Sequence, residues 1–93
     1  MTYTITNYTR NRASQLGVTV KASTSKGKKI DVFNKDGKKI ASIGALGYGD
    51  FPTFTKLKGL KFAKERQKAY RARHAKNIAI KGSNGYYAGN LLW

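Results

Sequence analysis

The stretch Arg66 to Lys76, RQKAYRARHAK, places six cationic or potentially cationic side chains in eleven residues. Their chemistry is recognition of anions. A guanidinium offers a planar fork that fits carboxylate or phosphate, and an ammonium offers a mobile point charge. Catalysis has little to draw on. His74 is the only histidine, and cysteine is absent. The four acids, Asp31, Asp36, Asp50 and Glu65, are scattered along the chain. They form no paired carboxylates, no nucleophile–base set and no cluster with metal-ligand spacing. The glycines of GALGYG, 44–49, resemble a phosphate loop only loosely, because no Lys-Ser/Thr follows them. We therefore expect no catalytic, cofactor-binding or metal-binding residue, no cofactor, and no enzymatic activity.

The cations fall into two sets once a helix is drawn through them. Residues from about 60 to 76 are good helix formers without Gly or Pro. At the helical period, Phe62, Arg66, Ala69, Tyr70 and Arg73 share one side, while Lys61, Lys64, Lys68 and Arg71 gather on the other. An arginine on the aromatic side needs a partner, and backbone carbonyls or a terminal carboxylate near Trp93 could supply one. We expect Arg66, Tyr70, Arg73 and Trp93 to form an internal clamp. Lys61, Lys64, Lys68 and Arg71, joined by Arg10, Arg12 and the lysines of 26–29, are expected to bind a partner; a plainly solvated helix face is the alternative. Asp50, in GYGDFP, is a candidate to cap a turn or meet an arginine.

These residues must be carried by a small α+β domain. Val18, Val20 and Ala22 alternate with polar residues, predicting a strand near 18–23. A second strand near 28–33 and a third near 38–43 flank Asn34-Lys35-Asp36-Gly37, whose Asp-Gly favours a hairpin turn. Ile40 and Ile43 are three apart, which predicts a bulge near Ser42. Residues 44–55 are rich in glycine and include the only proline, so they read as a loop. Tyr48, Phe51 and Phe54 in it either pack inward or form an interface. The tail, YYAGNLLW, should cap the core as a short helix or extended segment. The expected architecture is a small antiparallel sheet packed by one main helix, about 60–76, and an aromatic C-terminal tail. Residues 17–93 form the single compact domain. Residues 1–16, polar and carrying Arg10 and Arg12, read as a basic N-terminal arm, with Thr2 to Thr6 able to extend as a strand.

Ninety-three residues suffice for one modest core. Nineteen Lys and Arg against four acids give a formal net charge of +15. Such an excess bears on partners and solubility rather than fold. No apolar run approaches the roughly 20 residues of a membrane span, and the N-terminus lacks the apolar core of a signal peptide. We expect a soluble or particle-associated protein without membrane or small-molecule substrate.

The order of a KKIDVFNKDGKKIASIG hairpin, a GYGDF element, Arg66, Tyr70, Arg73-His74-Ala75-Lys76 and a final GSNGYYAGNLLW is similar to a viral group. It resembles small basic proteins of large double-stranded DNA viruses of algae and protists and of some tailed phages, including crAss-like phages. The resemblance covers roughly residues 28–93, and Asn77 stands where an acidic residue is commoner. It implies a viral setting, and the group includes auxiliary capsid proteins. The expectation is a virion structural protein, an auxiliary or minor capsid component. It would bind the major capsid protein and other virion proteins and contact packaged DNA. Its place would be the virion, with the host cytoplasm during assembly. The alternative is a nucleic-acid-binding protein that holds phosphates non-specifically through the basic helix and arm.

Overall fold

The computed structural model describes residues 3–93. In chain order the elements are α1 (Asn7–Leu16), β1 (Thr19–Ala22), β2 (Lys28–Phe33), β3 (Lys39–Ala45), α2 (Phe51–Lys58), α3 (Leu60–Arg73), α4 (Ala75–Ala79) and α5 (Asn84–Leu91). The three strands form one antiparallel sheet in the order β1-β2-β3. The α+β class and the strand positions match the sequence pattern.

Register explains the core. Val20 pairs with Val32 and Ala22 with Ile30 across β1 and β2; Ile30 pairs with Ile43 and Val32 with Ala41 across β2 and β3. Directly paired residues share a face, so these apolar side chains form one continuous surface. Leu91 and Leu92 from the chain's end and Ala13 from α1 complete the buried cluster. Ile30, Ile43, Leu91 and Leu92 are almost fully buried, each stabilising the fold by roughly 1.5–3 kcal/mol relative to exposure. The β-irregularity lies opposite Val32 and Phe33, which pair with Ala41 and Lys39. The irregularity expected in this strand is present, with Ile40, two residues before Ser42, as the extra residue. Ala41 and Ile43 lie in the regular run after the slip and turn inward together opposite Val32 and Ile30. The hairpin turn closes as the Asp-Gly pair predicts: Gly37 adopts φ of 82°, and the Asn34 side chain accepts from the amides of Asp36 and Lys38.

Residues 7–16 are not an extended arm. Thr6 accepts from the Thr9 amide as N-cap, and Gly17 ends the helix in the left-handed region. Thr9 and Ala13, four apart, put one face of α1 into the core, and the Thr9 hydroxyl donates to the Leu91 carbonyl at 2.8 Å. Residues 3–6 form no strand; Thr2 lies outside the described residues. Burial of a polar helix is possible because the buried hydroxyl is satisfied.

The loop after β3 is also shorter than the glycines suggest. Helix α2 begins at Phe51, with Asp50 as N-cap accepting from the Thr53 amide and Pro52 in the first turn, where its missing N–H costs nothing. The main helix runs as α3 to Arg73 and breaks at His74 into the short α4. Ser83 then caps α5. Where α5 crosses Ile78 at Gly89, a Cβ would fall 2.5 Å from Ile78 Cγ1, so close approach there requires glycine. No helix among the described residues is long and apolar enough to cross a membrane.

Candidate functional site

The side of α3 that packs inward is Ala63, Gln67, Tyr70, Arg71 and His74, all buried or half-buried. These positions follow helical spacing, but they sit one residue round from the expected face, a turn of ~100°. Phe62 drew the expectation toward its own side, yet it is 38% exposed, whereas Ala63 is wholly buried. A small residue allows close approach of backbones, and that decides the orientation.

The rotation exchanges the roles of the arginines. Arg71, expected to look outward, donates from Nη2 to the Gly89 carbonyl at 2.9 Å. Arg12, also expected to bind a partner, donates from Nε to the Asn90 carbonyl at 2.8 Å. Together they clamp α5. Arg66 and Arg73, expected to clamp the tail, are exposed and make no hydrogen bond to it among the described residues. Arg66 instead lies 5.8 Å from the Phe54 ring centroid, a cation–π distance. Gln67 takes the place expected for arginine by donating to the Trp93 carbonyl. The aromatic part of the expected clamp does form: Tyr70 stacks on Trp93 with centroids 4.5 Å apart and planes within 9°. Burial raises the Tyr70 phenol pKa against the opposing charges of Arg71 and Arg73.

A direct comparison separates the two arginine sets. Arg71→Ala should lower stability by about 1–2 kcal/mol, since it strips the side-chain donor from the Gly89 carbonyl of α5. Arg73→Ala should stay within about 0.5 kcal/mol of the parent. Urea unfolding of both variants measures this; equal losses would contradict the assignment.

Arg10, Lys61, Lys64 and Lys68 are exposed as expected. Lys56 and Lys58, at the end of α2, add to the cationic exterior. Of the candidate interface aromatics, only Tyr48 stands free, at 76% exposed. Phe51 packs beside Tyr8 at 5.1 Å, and Phe54 lies against Phe62 and Trp93 at 5.4 and 5.9 Å.

Asp50 organises the junction beneath Tyr48. Its Oδ2 accepts from Lys29 Nζ at 2.9 Å and from Tyr3 Oη at 2.8 Å, and its Oδ1 accepts from the Thr53 amide at 2.9 Å. Lys29 Nζ also donates to the Tyr48 carbonyl at 2.6 Å and sits 5.2 Å from the Tyr3 ring centroid. Burial alone would raise the Asp50 pKa, but the bonds from Thr53, Lys29 and Tyr3 outweigh it and hold the carboxyl below its ordinary value. The Tyr3 phenol is pushed up, chiefly by burial and then by its bond to Asp50 and that group's charge. One carboxylate thus ties the N-terminal segment, the sheet and the start of α2 together.

Asp31 occupies the opposite face of the sheet from the apolar cluster. Ser23 and Ser42 donate hydroxyls to Oδ1 at 2.5 and 2.8 Å, the Thr24 amide donates to Oδ2 at 3.2 Å, and Lys39 Nζ lies 3.6 Å away. Its cover is these immediate neighbours rather than depth. Burial would raise its pKa; the hydroxyls, the amide and then Lys39 win, bringing it to about 2.

No protein-family model matches the chain, nor does any curated protein or solved structure. The arrangement itself shows two internal carboxylates, two arginines clamping α5, and an outer shell of cations. No group of three or more potential metal-ligating side chains occurs among the described residues. Lys29, Arg12 and Arg71 were all expected to face a partner, and all three are instead engaged internally. The local signal that could have found Lys29 is Asp50: a cap in a chain with so few acids is a magnet for a buried cation.

Proposed function

We propose that this chain is a virion structural protein, an auxiliary or minor capsid component that docks through its cationic exterior onto acidic surface of the major capsid protein and onto packaged DNA. The viral setting is supported by the resemblance of residues 28–93. The mode of docking is supported by one observation, the inside-out distribution of charge. Asp31 and Asp50 are buried and engaged internally, which leaves Asp36 and Glu65 as the exposed acids. Every Lys and Arg except Lys29, Arg12 and Arg71 is exposed. The surface positive charge therefore stands almost uncompensated. A small rigid body with such a surface is steered toward polyanions and resists self-association.

The row Lys61, Lys64 and Lys68 on α3 favours a second reading, a free nucleic-acid-binding protein that neutralises phosphates without reading sequence. Particle composition separates the two. Purified virions treated with nuclease and washed in moderate salt should retain the chain at a near-stoichiometric ratio to the major capsid protein, counted by mass spectrometry. Loss of the chain from washed, DNA-stripped particles would reject the capsid role and leave the nucleic-acid reading.

A further inference from the structure

Arg66 and Arg73 are two turns apart on α3 and were expected to be satisfied internally, yet neither has an acidic partner among the described residues. Both line a cleft of about 390 Å³ between α3, the start of β2 and the chain's last residues. That volume lies within the range of small-ligand sites, about 300–1,000 Å³. Lys28 lines the cleft from the sheet side, and Tyr48, His74 and Trp93 also border it. Lys28, like the two arginines, has no ion-pair partner among the described residues. The single acid in the lining, Asp50, is already spent on Lys29, Tyr3 and Thr53. Three uncompensated cations therefore converge on one concave space.

We propose that this cleft binds the phosphate of a nucleotide. The phosphate would meet Lys28 from the sheet and Arg66 and Arg73 from α3, with the base against the exposed ring of Tyr48. Charge selects the ligand class. A lone carboxylate would answer one of the three cations, whereas a di- or triphosphate answers them together. Guanidinium forks match phosphate oxygens two at a time. Low-dielectric walls focus the field inside a cleft, as they do not on an open helix face. The aromatic wall also contributes: Tyr70 stacks on Trp93, and Phe54 and His74 meet this pair at tilted angles on either side. Arg66 lies over the Phe54 ring, 5.8 Å from its centroid, a contact that lowers the cost of ordering its side chain on binding. A free nucleotide with two or three phosphates and the 5′-phosphorylated end of a strand, whose terminal phosphate is followed by its first diester, both bring more than one phosphate group to these cations. The inference does not rest on the virion reading, since it concerns a cleft rather than the outer stripe.

Trp93 is the only tryptophan and borders the cleft, so its fluorescence reports occupancy. Titration with a nucleoside triphosphate should give a saturable change. The Arg66→Gln, Arg73→Gln double variant should weaken it by at least about tenfold. A charge-matched Lys61→Gln, Lys64→Gln variant on the same helix should change it by less than about threefold. All four positions are exposed, and circular dichroism of each variant checks that the fold is kept. A 5′-phosphorylated oligonucleotide that binds more tightly than both its unphosphorylated form and the triphosphate identifies a strand end; a preference for the triphosphate identifies a free nucleotide. No saturable fluorescence change with either probe, or equal weakening in the two double variants, would overturn the proposal.

Discussion

Asp50→Asn should cost the protein about 3–5 kcal/mol, the penalty of leaving a buried charge without its partner. The side chains of Lys29 and Asp50 are only 5% and 1% exposed. Asparagine keeps the size and its one oxygen can still cap α2, but its NH2 then faces Tyr3 and Lys29, so the loss combines the unpaired charge on Lys29 with both bonds to Oδ2. Total stabilities of small domains lie at about 5–15 kcal/mol. The substitution would therefore consume a large part of the whole, and a drop in melting temperature of well over about 10 °C should accompany it. Loop 46–50 should loosen as well, because Lys29 also holds the Tyr48 carbonyl. Urea unfolding at neutral pH measures the effect. A variant within about 0.5 kcal/mol of the parent would show that Lys29 tolerates the site unpaired.

Acid should unfold this protein through the same few groups. Asp31 titrates at about 2, against an ordinary value of 3.8, and Asp50 is also lowered. A carboxylate with a depressed folded-state pKa contributes stability that is complete above its unfolded value and is lost as pH falls through the folded one. The loss should therefore begin near pH 5 and continue to about pH 2, on the order of 2 kcal/mol for Asp31 alone. Protonation of the four acids also leaves nineteen Lys and Arg unopposed, and self-repulsion deepens the fall. Asp31→Asn should be less stable than the parent at pH 7, and the gap should narrow as the pH approaches 2. Denaturant curves at several pH values give the comparison; a gap that stays constant would remove Asp31 from the acid transition.

What could be read from the chain follows from how local each signal is. The β2–β3 hairpin was legible because period-two alternation, an Asp-Gly turn and β-branched residues all agree over a few positions. That the apolar tail closes over the core with Trp93 was legible from its composition, while helix and extended segment were both left open for it. Helix α1 was hidden by its composition: Thr, Asn and Arg suggest a solvated arm, though Thr6 and Gly17 stand at its two ends as cap and stop. Its burial depends on the Leu91 carbonyl, eighty-two residues away, which no local pattern reports. The turn of α3 was hidden differently. Amphipathic reasoning weights large apolar side chains, and Ala63 carries almost no weight although it is the residue at the contact. That single displacement moved Arg71 inward and set Arg66 and Arg73 at the cleft. The outward position of Lys61, Lys64 and Lys68 survived it, because lysine rows lie far enough round the helix to remain solvated.

Two of the four acids are buried while all Lys and Arg but Lys29, Arg12 and Arg71 are exposed, and we propose that this cationic exterior engages polyanions. The most direct test of this is the salt dependence of binding to random-sequence duplex DNA as a generic polyanion. The parent should give a steep negative slope of log affinity against log salt, and Lys61→Gln, Lys64→Gln, Lys68→Gln together should reduce that slope by roughly two to three. A flat slope for the parent, or an unchanged slope for the triple variant, would contradict it.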